Sequence, residues 1–213
     1  MKKNLFAAIA AIAVGALAAP ALSQAQFGNL LGAAKLPGSS GNSAGADVGA
    51  QQDSLVRSYV AAGNDVSAAN RHLNEALGIK ASAVDDAATS DSLAAKDIEA
   101  KDKAISADAA KVSEGLKSGA TLKDNAAKVT FTKGLLSLAT GVKKYADMRN
   151  DVQGFSSSLS SASPMQLPKL QAGVYVAKNM PTSLATLTTV LKSAVEFGKN
   201  NGVEIPKDAT SLL

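Results

Sequence analysis

The chain has no cysteine and only one histidine. Without thiols it can form no disulfide, no thiolate metal site and no covalent c-type haem link. With His72 alone it cannot assemble the two-histidine motifs of zinc hydrolases. The paired Glu-x-x-His motifs of a di-metal carboxylate bundle are likewise out of reach, and Glu75 follows His72 rather than preceding it. No Gly-x-Ser-x-Gly turn presents a serine to that histidine, and no Gly-x-x-x-x-Gly-Lys loop is present to cradle a phosphate. Strand-period alternation is also missing, apart from a short ambiguous run at 173–177. These absences remove the recognisable catalytic constellations, and the expectation is a non-enzymatic protein.

What is present begins with an address. Lys2 and Lys3 precede an uncharged, Ala-rich apolar run from Leu5 to Leu17. Small residues then offer cleavage after Ser23 or after Ala25, the pattern of an export signal over residues 1–25. The run is shorter than the ~20 residues that span a bilayer. No cysteine follows it for lipid attachment. The mature chain is therefore expected outside the cytoplasm, in a bacterial periplasm or beyond it, with no transmembrane segment. Removing Lys2 and Lys3 leaves 20 basic against 18 acidic side chains, which is no footprint for nucleic acid. The front half of the mature chain is mildly acidic and the back half mildly basic. That split suits packing of complementary helices, or a basic face for anionic lipid or polymer.

Residues 26–46 are Gly/Ser/Ala-rich around Pro37 and read as a disordered, flexible leader, with Phe27, Leu30 and Leu31 as a small apolar hook. Residues 47–213 read as one helical bundle domain. In the first helix, 47–77, Gln52, Leu55, Tyr59, Ala62, Val66, Ala69, Leu73 and Ala76 step by three and four, a coiled-coil-like stripe that Gly78 stops. The second, 81–118, carries Val84, Ala88, Ala95, Ile98, Ile105, Ala109, Val112 and Leu116, and Gly119 ends it. Asp91 and Asp102 interrupt its stripe. They are candidates for a cation site or for pairing with lysines of the third helix, and the favoured reading is that they mark where this helix leaves the core or fix its register.

Thr121 is placed to cap a third helix reaching about Val152. Its apolar set is broader (Leu122, Val129, Phe131, Leu135, Leu136, Leu138, Val142, Tyr145, Val152), as for a helix with more than one neighbour, and Gly154 closes it. Residues 155–163 read as a Ser-rich turn anchored by Phe155 and Leu159. Pro164 and Pro168 open a fourth helix, Pro181 breaks it, and Asn200-Asn201-Gly202 ends it. Equal helices of ~30 residues with short connections predict an all-α, antiparallel up-down-up-down four-helix bundle, its last helix broken near Pro181.

Two functions fit this reading. One is an exported structural or interaction protein, working through its surface on a protein or envelope partner. The other is a carrier of an apolar ligand between helices, a lipid or a b-type haem held by His72 with Met148, Met165 or Met180. No catalytic, cofactor-binding or metal residue is assigned.

Overall fold

The computed structural model describes residues 43–80 and 91–213. The expected export signal and most of the leader lie outside the described residues, as do Val84 and Ala88. Among the described residues all regular structure is helical: α1 (Ser43–Ala76), α2 (Ala95–Lys117), α3 (Asn125–Asp147), α4 (Arg149–Leu159), a 3-10 turn (Leu167–Leu170), α5 (Gln171–Asn200) and the one-turn α6 (Lys207–Thr210).

The stripe of α1 is the floor of the core. Leu55, Tyr59, Ala62, Val66, Ala69, Leu73 and Ala76 are all buried, which the three-and-four spacing dictates for a helix pressed on one side. Its main neighbour is α3, which runs antiparallel: Gly134 meets Leu73, Gly141 meets Val66 and Ala62, and Tyr145 meets Tyr59. A β-carbon on Gly134 would lie 2.7 Å from Leu73 Cγ, and one on Gly141 2.7 Å from Val66 Cγ2 and 3.2 Å from the Ala62 carbonyl oxygen. These two glycines, seven apart on one face, let the helices approach more closely than any side chain allows. An ion pair from Lys144 Nζ to Asp65 Oδ2, 2.6 Å, flanks the seam.

The helix stops follow the glycines. Gly78, Gly119 and Gly202 adopt φ of +68°, +74° and +65°. At Gly78 the Ile79 N–H returns to the Asn74 carbonyl, and at Gly202 the Val203 N–H returns to the Gly198 carbonyl. Both closures satisfy carbonyls that a helix end would leave without donors.

The up-down-up-down order is corrected by the contacts. Along α1 and α2 the partners rise together: Tyr59 with Asp102, Asn70 with Ile105, and Leu77 and Ile79 with Gly115. α2 is therefore parallel to α1. α5 is parallel to α1 as well, with Gln52 bonded at Gly173 and Tyr59 at Ser183. α5 is antiparallel to α3, where Phe131 meets Phe197. The order is up, up, down, up. α2 begins at Ala95 rather than 81, and a three-and-four stripe records that a helix is covered without fixing the sense of the helix that covers it.

Three further expectations change. Asp124, not Thr121, caps α3, its Oδ1 accepting from the Ala127 N–H at 2.8 Å. Thr121 instead precedes buried Leu122, whose N–H donates to Asn201 Oδ1, so this stretch is tied to the end of α5 before the helix begins. Gly154 does not close a helix and residues 155–163 are not simply a turn: α3 ends at Asp147, and after Met148 α4 resumes the descent through Gly154 to Leu159. Phe155 holds it, fully buried, its ring filling the space above Gly173. Finally, α5 runs unbroken through Pro181. The proline removes one helical donor, but its ring is exposed, and buried Met180 and Leu184 fasten both halves to the core.

Two opposite outcomes follow for glycine-to-alanine changes. Gly134→Ala or Gly141→Ala should destabilise the protein by about 1–3 kcal/mol in urea unfolding, because the added methyl overpacks a closed seam. Gly154→Ala has open space around it and should stabilise by about 0.5–1 kcal/mol through helix propensity and a stiffer unfolded chain.

Candidate functional site

The densest gathering of polar chemistry sits where α1, α2, α3 and α5 meet. The chain has three tyrosines, and all three converge there. Tyr59 of α1 donates to Asp102 Oδ2 at 2.7 Å, and Tyr175 of α5 donates to the same oxygen at 2.9 Å. Tyr145 of α3 packs edge-on against Tyr59, centroids 5.1 Å apart and planes at 80°. Ser183 Oγ lies 3.5 Å from the Tyr59 hydroxyl.

Helical spacing places each group. Tyr59 belongs to the buried stripe of α1, and Tyr145 follows Gly141 by one turn on the seam face of α3. Asp102 falls between Ile98 and Ile105 on α2, and so points inward among apolar neighbours. Beside it, Lys101 is buried with its Nζ donating to Asn64 Oδ1, while Asn64 Nδ2 donates to Asp91 Oδ1 at 2.8 Å.

Burial governs the protonation of this cluster. It pushes the Asp102 carboxyl above its ordinary range, and the hydrogen bonds from Tyr59 and Tyr175 with the nearby Lys101 charge only partly offset it. Burial likewise pushes all three phenols up, with Asp102 adding to the effect on each. Lys101 is pulled down by burial against the opposing pull of Asp91 and Asp102. Protonated phenols on a shared carboxylate make a tether between helices. They do not make an activated nucleophile, and Ser183 contacts Tyr59 rather than a base.

Of the residues weighed from sequence, Asp102 fixes register by bridging α1, α2 and α5. Asp91 lies ahead of α2 rather than on its stripe, bonded to Asn64. Among the described residues neither is joined to a lysine of α3 by a hydrogen bond or ion pair; the α3 lysine that does pair with an acid of α1, Lys144, meets Asp65. His72 is half-buried near the top of α1, its Nδ1 without a hydrogen-bond partner. It is not joined by a methionine. Met148 lies three residues beyond Tyr145 and Met180 three before Ser183, so both sit near the level of Tyr59. His72 is ~20 Å further along α1, at 1.5 Å per residue. Met165 is 87% exposed. No group of three or more metal-ligating side chains occurs among the described residues. The convergence of the tyrosines was not read from the sequence; its one signal was an acid inside an apolar stripe.

Comparison with protein-family models, curated proteins and solved structures finds no match to this chain.

The raised Asp102 carboxyl has a definite sign for stability. A folded-state value above the unfolded one means that this group favours folding below the unfolded value, and that the advantage is lost as pH rises through the folded value. Its ionisation therefore costs stability at pH 7. Asp102→Asn keeps an acceptor for the phenols and removes the charge, so its thermal midpoint should exceed the parent's at pH 7. The difference should vanish as pH falls through the carboxylate range. Asp102→Ala leaves Tyr59 without its acceptor and should cost about 1–3 kcal/mol.

Proposed function

We propose that this chain is an exported, non-catalytic helical-bundle protein that works through its surface on a partner in the cell envelope. The observation that carries this reading is the state of the seam where a carrier would have to hold its ligand. Between α3 and α5, Phe131 lies against Phe197 with centroids 5.4 Å apart, and Leu135, Leu138 and Leu191 are fully buried around them. Between α1 and α3 the glycines bring the helices into direct contact. At these two seams side chain meets side chain, which favours a packed core over a ligand site there, and the separation of His72 from Met148 and Met180 speaks against an axial pair.

Export is supported by Lys2 and Lys3 ahead of the apolar run and by the small residues at 21–25. Among the described residues no helix is long and apolar enough to cross a membrane. The domain plan that accompanies this reading is a cleaved signal over 1–25, a leader over 26–46 and the bundle from 47 onward. The Tyr–Asp cluster serves the bundle's architecture, so its reactive groups are spent on holding helices together.

Native mass spectrometry with an absorption spectrum, on protein recovered from the periplasmic fraction, tests this reading. The expected result is a bare polypeptide mass beginning after Ser23 or Ala25, with no Soret band. Retained residues 1–25 in a cytoplasmic fraction would contradict export. A stoichiometric added mass or haem absorbance would establish the carrier instead.

A further inference from the structure

The broad apolar set of α3 is not all consumed by packing. Val129 and Leu136, one heptad apart, are 56% and 45% exposed on the side of α3 away from α1. Beside Val129 a groove of about 720 Å³ runs between the first turns of α3 and the tail after α5. Val203, Ile205 and Pro206 give it an apolar wall, and Lys128, Lys133 and Lys207 stand on its rim with Glu204 as its one carboxylate. None of these three lysines is engaged in an ion pair among the described residues. Lys133 lies one turn from Val129 and Leu136 on the same helix face. Asp124, the nearest acid on α3, is occupied in capping the helix.

Single exposed apolar residues are ordinary. Here two of them continue an apolar groove, and the cations around that strip outnumber its carboxylate three to one. Interfacial binding demands this combination: short apolar side chains that enter the acyl boundary, and long cationic ones that reach the headgroups.

We propose that the outer face of α3 and the adjoining tail form a peripheral binding surface for an anionic phospholipid bilayer. Val129 and Leu136 enter the interface while Lys128, Lys133 and Lys207 contact the phosphates. The proposal rests on the envelope reading and names its partner. A bilayer suits the patch better than an enclosed anionic ligand, because the apolar strip continues past the groove to exposed Leu136, which does not line it. Membrane binding through lysines is also screened by salt, whereas burial of Val129 and Leu136 is not.

Vesicle co-sedimentation tests this, using the chain as recovered from the producing cell and vesicles of phosphatidylcholine alone or with one quarter phosphatidylglycerol. The expected result is binding to the anionic vesicles that weakens in 0.5 M salt (a screening length of about 4 Å). The triple variant Lys128→Gln, Lys133→Gln, Lys207→Gln should bind on the order of 100-fold more weakly, about fivefold per lysine. Val129→Ser with Leu136→Ser should also weaken binding, while circular dichroism shows the helices intact. Neither the triple nor the double variant alters a residue of the buried core. No binding, equal binding to both vesicle types, or binding unaffected by either variant would overturn the proposal. The envelope reading would survive those results, since it fails instead on an added mass or a cytoplasmic location.

Discussion

The structure depends on the contact between α1 and α3. Gly134 and Gly141 remove the side chains that would hold the helices apart, and Leu73 and Val66 of α1 occupy the space gained. Dispersion and burial both favour such an approach, since each atom at the seam meets a partner on the other helix. The remaining elements arrange themselves around this pair. α4 continues the descent of α3 and closes the lower end with Phe155, while α5 covers the seam with Leu184, Leu187, Leu191 and Val195. A chain without cysteine can form no disulfide, so packing of this kind carries much of the net stability.

α2 is held differently. Its buried face is narrower, and its attachment includes Asp102 bonded to Tyr59 and Tyr175, Lys101 bonded to Asn64, and Asn70 bonded to the Ile105 carbonyl. Polar ties of this kind add little net stability, since desolvation offsets much of the attraction. They do discriminate among registers, because a slip along α1 would strand a half-buried carboxylate and a buried ammonium. Parallel neighbours benefit from such discrimination, having no tight turn to set their alignment.

The helical stripes explain how much could be read in advance. The face of α1 appears residue by residue, because 3.6-residue periodicity and burial are the same fact stated twice. The stops at Gly78, Gly119 and Gly202 were legible because only glycine enters the left-handed region cheaply. The direction of α2 was not, since a stripe records that a helix is covered and not by which neighbour or in which sense. Gly154 and Pro181 misled for a related reason: each weakens a helix locally, and tertiary packing through Phe155, Met180 and Leu184 overrides them. Val129 and Leu136 belong to the broad apolar set that suggests more than one neighbour for α3, yet the structure leaves them in solvent. The site was legible only as an acid out of place at 102, because the hydroxyls that meet it come from positions 43 and 73 residues away.

This division of labour, with chemistry directed inward to hold helices and an apolar, lysine-rimmed strip directed outward, stands on the parallel alignment of α1 and α2. A cysteine-free chain permits a clean test by paired spin labels. Glu75→Cys near the top of α1 is combined either with Lys117→Cys at the end of α2 or with Lys96→Cys at its start; all three positions are exposed. Parallel helices predict that the Glu75–Lys117 pair is the closer by roughly 10 Å, given 1.5 Å per residue along α2 and helix axes about 10 Å apart. The opposite ranking would show an antiparallel hairpin, separate Asp102 from Tyr59, and contradict the account.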